Sequence, residues 1–187
     1  MNDILCFRSA AEFRKWLAAN HRQSDGIWLR IFKKDSGEPT VTYAEALDEA
    51  ICFGWIDGQK RRHDEASWRQ RFTPRRPKSG WSKLNTQHAE RLIQAGRMHE
   101  AGKSEIDAAK KDGRWTAAYD SPSKATFPED FLAELSRNKK AKAFFDSLNK
   151  ANRYAIAYRL QTAKKPETRQ RRMETILAML ARGESFH

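Results

Sequence analysis

The stretch Gly54 to Asn85, GWIDGQKRRHDEASWRQRFTPRRPKSGWSKLN, holds three of the six tryptophans, Trp55, Trp68 and Trp81, among nine Lys or Arg residues and three acids. Two runs rich in strand-forming residues, Trp55–Arg62 and Ser67–Thr73, flank the polar quartet His63-Asp64-Glu65-Ala66. That order predicts a β-hairpin with its tip at the quartet. In the second arm Trp68, Gln70 and Phe72 share one face and Arg69 and Arg71 the other, because side chains alternate along a strand. The turn pair Asp57-Gly58 offers an alternative tip, but it leaves the first arm too short after the preceding helix.

Outward from the hairpin, Gly26–Lys34 alternates Ile27, Leu29 and Ile31 against Trp28, Arg30 and Phe32 and reads as a strand partly covered on both faces. Ala10–Ala19 reads as a short amphipathic helix capped by Ser9, with Phe13, Trp16 and Leu17 on one stripe. Thr42 caps a helix through Cys52, Glu45 stands three residues after the cap, and Gly54 stops it. Beyond the hairpin the periodicity is helical: Ser82–Ala95, Met98–Lys111, Pro128–Arg137, Lys139–Asn149, Ala151–Ala163 and Pro166–Arg182. The expected fold class is α+β, with a small antiparallel sheet and helices over residues 1–112 and a helical bundle or arm over 128–187. Residues 113–127, with Pro122 and its serines, read as a linker.

The 187 residues fit one domain of ordinary size, or a small domain with a helical extension. Net charge is +12, and its distribution is uneven. Residues 1–55 carry 7 basic and 8 acidic groups, 56–120 carry 15 and 9, and 121–187 carry 14 and 7. A pI near 9.9 admits nucleic acid, anionic lipid or a phosphorylated small molecule as partner and does not choose among them. No apolar stretch approaches the ~20 residues of a membrane helix. The N-terminus shows no basic region followed by a long apolar one, so a cytoplasmic location is expected. Cys52 lies in the apolar run Ala50-Ile51-Cys52-Phe53 and reads as a buried thiol. With no HxxxH, HExxH or CxxC spacing, no metal site is expected. The common nucleotide and hydrolase glycine motifs are missing too, and no cofactor is expected.

The strongest candidate for binding is Phe72 to Asn85. Two prolines fix the backbone, Gly80 permits a close approach, and a helix starts near Ser82, whose N-terminal N–H groups suit an anion. Arg75, Arg76 and Lys78 arrive at the same place, and Arg forks match phosphate or carboxylate. Trp81 could lay its face on a base or sugar ring. The candidate ligand-binding residues are therefore Trp55, Arg75, Arg76, Lys78, Ser79, Trp81, Ser82 and Asn85. The competing reading makes Ser79 or Ser82 a helix cap, Trp81 a core plug and the cations solvated. Asp57, lodged between Ile56 and Gly58, is the candidate catalytic base, or else an ion-pair partner of Arg75 or Arg76. His63 and His88 are the other candidate proton carriers. The basic tail Arg153–Arg172 reads either as a nucleic-acid surface or as a solvated face on packing helices.

Five ordered blocks, CFGWIDG (52–58), FTPRRPKSGWSKLN (72–85), AERLIQAGRM (89–98), RYAIAYRL (153–160) and AKKPETRQRR (163–172), resemble the YdeI/OmpD-associated (OmdA) family. The resemblance implies a part in protection against bacteriocins or antimicrobial peptides, and it brings no reaction, catalytic residue or cofactor. Some members are linked to the cell envelope, whereas this chain shows no export signal. The expected function is a cytoplasmic resistance or stress accessory protein that binds an anionic small molecule through the Trp/Arg pocket. The alternatives are an enzyme on a phosphorylated or carboxylated substrate with Asp57 as base, and a nonspecific nucleic-acid-binding protein. Oligomeric state is not legible.

Overall fold

The predicted hairpin is present, and it forms one side of a four-stranded sheet. In a computed structural model that describes residues 4–120 and 126–187, β1 (Ile4–Cys6), β2 (Ile27–Phe32), β3 (Trp55–Arg62) and β4 (Ser67–Pro74) lie in the order β1-β2-β4-β3. Strand β4 pairs antiparallel with both β2 and β3. The register shifts between Asp57 and Lys60, so Asp57-Gly58 borders an irregularity within β3 and is not the hairpin tip. Strand β1, three residues long, joins the free edge of β2 in parallel. The sheet is therefore mixed, with an antiparallel body. Three residues are too few to display a period of two, which is why β1 is silent in the sequence.

Helices α1 (Ala10–Asn20) and α2 (Tyr43–Cys52) begin at the expected caps. Ser9 Oγ accepts from the Glu12 N–H, and Thr42 and Glu45 form a complete capping box. Phe13 and Leu17 of α1 and Ala46, Leu47, Ala50 and Ile51 of α2 are buried with Leu29 and Phe72 of the sheet. The Phe13 and Phe72 rings meet at 5.8 Å. Helices α3 (Lys83–Gln94) and α4 (Glu100–Lys111) follow. Helix α4 crosses the end of α2 so closely that a Cβ on Gly102 would stand 2.3 Å from the Cys52 carbonyl oxygen, which only glycine permits.

The chain divides into two compact units, residues 1–81 with 85–116 and residues 82–84 with 117–187. The second unit is built from α5 (Glu129–Ser136), α6 (Lys139–Ser147), α7 (Lys150–Gln161) and α8 (Pro166–Ala181). Its core is Phe131, Leu135, Phe145, Ile156, Leu160, Met173, Ile176 and Leu180. Pro166 opens α8, where its missing N–H is harmless, whereas Pro128 stands one position earlier as the cap of α5. Residues 121–125, in the middle of the expected linker, lie outside the described residues.

Candidate functional site

Within the first unit the alternation of β2 and β4 sorts side chains onto two faces. Ile27, Leu29 and Ile31 point toward the helices and are buried, while Trp28, Arg30 and Phe32 point away. The antiparallel register sets Trp28 opposite Arg71 and Arg30 opposite Arg69, and the next strand sets Arg61 opposite Arg69. Paired residues share a face, so four arginines and two aromatic rings occupy the outer side of the sheet. The Arg61 and Arg69 guanidinium carbons lie 5.1 and 5.3 Å from the Trp28 ring centre, and that of Arg30 lies 4.3 Å from Phe32. Arg30 is also tied by hydrogen bonds to Ser67 Oγ and Asp64 Oδ2.

Arg61 donates to Gln59, and Arg71 donates to the Asp25 carbonyl. Burial pushes the Arg71 guanidinium below its ordinary range, and the Asp25 charge only partly opposes this. Arg69 Nε is buried without a hydrogen-bond partner. Asp64 ion-pairs with Arg30, one member of this row of four guanidiniums. Cation–π contact holds the arginines near the rings without neutralising them. The result is a face that combines aromatic rings with a local excess of arginine.

The residues singled out in the sequence fall differently. Trp55 is 1% exposed, with its indole N–H bonded to the His21 carbonyl and its ring edge-on to Trp16. Trp81 is equally buried. The Arg75 guanidinium carbon sits 3.5 Å from the Trp81 ring centre, and Arg75 Nη1 donates to the Gly80 carbonyl. Trp115 closes on Trp81 at 5.0 Å, and the buried Arg114 pairs with Asp112 and donates to the Ser79 carbonyl. Arg75, Ser79 and Trp81 are therefore brought together, as a packed stack with few atoms facing water.

Arg76 and Lys78 of the same loop are exposed, and Lys78 adopts a left-handed backbone (φ 65°). Asn85 is buried in the first turn of α3. Ser82 belongs to the second unit, where it bridges Tyr119. Asp57 is half-buried at the start of β3 and accepts the Tyr43 hydroxyl at 2.9 Å. Burial and the Asp57 charge push the Tyr43 phenol far up, so this hydroxyl stays protonated and serves as a donor. Among the described residues no group of three His, Cys, Asp or Glu side chains could hold a metal ion.

Two buried carboxylates on α2 escaped the sequence reading. Glu49, 3% exposed, is clamped by Arg14 and Arg97. Asp48 accepts from Arg91 and faces His88 Nδ1 at 2.9 Å. Burial alone would raise the Asp48 carboxyl, but the Arg91 and His88 hydrogen bonds overcome it and hold the group below its usual range. Burial also pushes the neighbouring Cys52 thiol up, away from a reactive thiolate. These acids neutralise cations inside the unit and present nothing to a ligand. The signal was an acidic pair inside an otherwise apolar helical stripe.

A family model described as Domain of unknown function (DUF8412) matches residues 5–105, and one described as Bacteriocin-protection, YdeI or OmpD-Associated matches residues 124–183. Of the five blocks that carry the resemblance, 153–160 and 163–172 fall in the second match and the other three in the first. No curated protein and no solved structure matches the chain.

Proposed function

We propose that this chain, which belongs to the family of the Domain of unknown function (DUF8412) and carries an OmdA segment at residues 124–183, is a cytoplasmic binding protein in a bacteriocin-protection-like role. Its anionic partner is single-stranded nucleic acid, held on the outer face of the sheet. The observation that carries this reading is that Arg61 and Arg69 both approach the Trp28 ring, on a face also lined by Arg30 and Arg71. A small anion needs a concave seat, whereas an open face of rings and cations suits an extended strand whose bases stack and whose phosphates meet guanidiniums. Arg76 and Lys78, exposed in the loop after β4, add positive charge to the same unit. Asp57, engaged with Tyr43, has no share in the mechanism.

The test is titration of short single-stranded oligonucleotides at low salt, followed by tryptophan fluorescence. Trp28→Ala should weaken binding by about 5- to 100-fold, the worth of one stacked base. Arg69→Glu should weaken it further without unfolding the protein. Unchanged affinity in both variants would remove the sheet face from consideration.

A further inference from the structure

The second unit contains a cavity of about 460 Å³ between the end of α7, the middle of α8 and the C-terminal Phe186. It falls in the range of about 300–1,000 Å³ typical of small-molecule sites. Three of its lining residues are arginines, Arg159, Arg171 and Arg172, and none of the residues lining it is acidic. Arg159 lies 3.8 Å from the centre of the Phe186 ring and donates to the Ala155 carbonyl. Arg172 donates to the Arg159 carbonyl at 2.8 Å. Among the described residues none of the three forms an ion pair, although the unit pairs other cations, such as Arg169 with Asp130 and Lys142 with Asp146. Each guanidinium carries five N–H donors, and these contacts occupy only a few of them.

The rest of the wall is apolar or amphipathic: Tyr158, Ile176 and Phe186. Two lining threonines, Thr162 and Thr175, donate their hydroxyl protons to helix carbonyls, which leaves their oxygens able to accept. Three like charges around one hollow repel each other, and an anion in the hollow relieves that repulsion. The arginine fork matches a phosphate group in shape as well as charge. An aromatic wall beside it suits a planar body attached to that phosphate.

We propose that this cavity is a binding site for a small aromatic phosphate monoester, with Arg171 and Arg172 on the phosphate and Tyr158, Ile176 and Phe186 against the body. It is independent of the sheet face, which lies in the other unit. The probe is adenosine 5′-monophosphate, titrated calorimetrically into the full chain with adenosine and inorganic phosphate as controls. The monoester should bind at least about 10-fold more tightly than either control.

Arg171 is exposed, so Arg171→Glu keeps the fold, and it should lower affinity by about 10- to 100-fold through the loss of charge-assisted hydrogen bonds. Phe186→Ala should cost less, because it removes only part of the wall. Arg69→Glu, on the sheet, should change nothing. Three outcomes overturn the proposal: no saturable binding, binding indifferent to Arg171→Glu, or binding abolished by Arg69→Glu. Equal affinity for inorganic phosphate would overturn the assignment of an aromatic body.

Discussion

In the first unit the polar groups are inside. Asp48, Glu49, Gln70, Arg75 and Arg114 are all buried, and charged pairs fill much of the space around α2. In the second unit Asn152 is the one buried polar side chain among the described residues, and the core is aromatic and aliphatic. Placement of surface cations differs in the same sense. The first unit spreads Arg30, Arg61, Arg69 and Arg71 over an open sheet face, and the second gathers Arg159, Arg171 and Arg172 around a hollow. A basic protein thus handles its surplus charge in two ways. Paired inside, charge fixes a fold. Gathered outside, its geometry sets what it can bind: a face takes a strand and a hollow takes a small molecule.

Salt is the harshest way to break that contrast. A single strand neutralised by about six cations of the first unit should lose about 300-fold in affinity between ~50 and ~200 mM salt. A monoester with a single phosphate in the second unit should lose less than about 10-fold over the same range. Affinities measured by calorimetry that fall in parallel would mean both ligands use the same diffuse charge, and the two sites would collapse into one.

Removing one acid from each unit sharpens the comparison through stability. Glu49→Gln leaves Arg14 and Arg97 facing a buried neutral group. Because both arginines can turn toward water, the loss should be about 3 kcal/mol, at the lower end for a broken buried pair. Asp130→Asn breaks the exposed pair with Arg169 and should cost less than about 1 kcal/mol. Urea titrations of both variants give the two values. Similar losses would show that the charges inside the first unit are not what holds it.

Much of this organisation was legible because its causes are local. Thr42 and Glu45 announce α2, Pro166 announces α8, and alternation from Trp55 to Thr73 announces the hairpin. The two rows of the candidate face were visible as well, Trp28 and Arg30 in one strand and Arg69 and Arg71 in another. What joins them is the register between β2 and β4, and registry is decided by which face buries Ile27 against Phe72, a long-range fact. The same holds for the loop after β4. Arg75 and Trp81 have the same letters whether they greet a ligand or each other, and their burial depends on Arg114 and Trp115 beyond α4. The partners of Asp48 and Glu49 come from α1, α3 and the loop before α4, which no local pattern encodes.

The gentlest separation of the two units is by acid, and it turns on His99. This residue caps α4, its Nδ1 accepting the Ala101 N–H at 3.2 Å, and its ring stacks on Phe53 at 4.6 Å. Burial lowers its pKa, and the nearby His21, Arg14 and Arg22 lower it further, against a weaker pull from Glu100. A protonated Nδ1 cannot accept the Ala101 N–H, and a cation at a helix N-terminus opposes the helix dipole. The folded pKa is therefore below the ordinary value of about 6.5. The stability it contributes is complete above that value and is lost as pH falls through the folded pKa. Four of the five histidines lie in the first unit, as do all six tryptophans. Urea unfolding followed by tryptophan fluorescence should lose about 1 kcal/mol between pH ~7 and ~5, roughly the worth of one cap. Amide NMR signals of α8 should report little change over that window. His99→Asn keeps an acceptor without a titrating ring, so it should flatten the fluorescence profile. A profile in that variant as steep as in the parent protein would assign the acid response to other groups, and the cap would be a bystander.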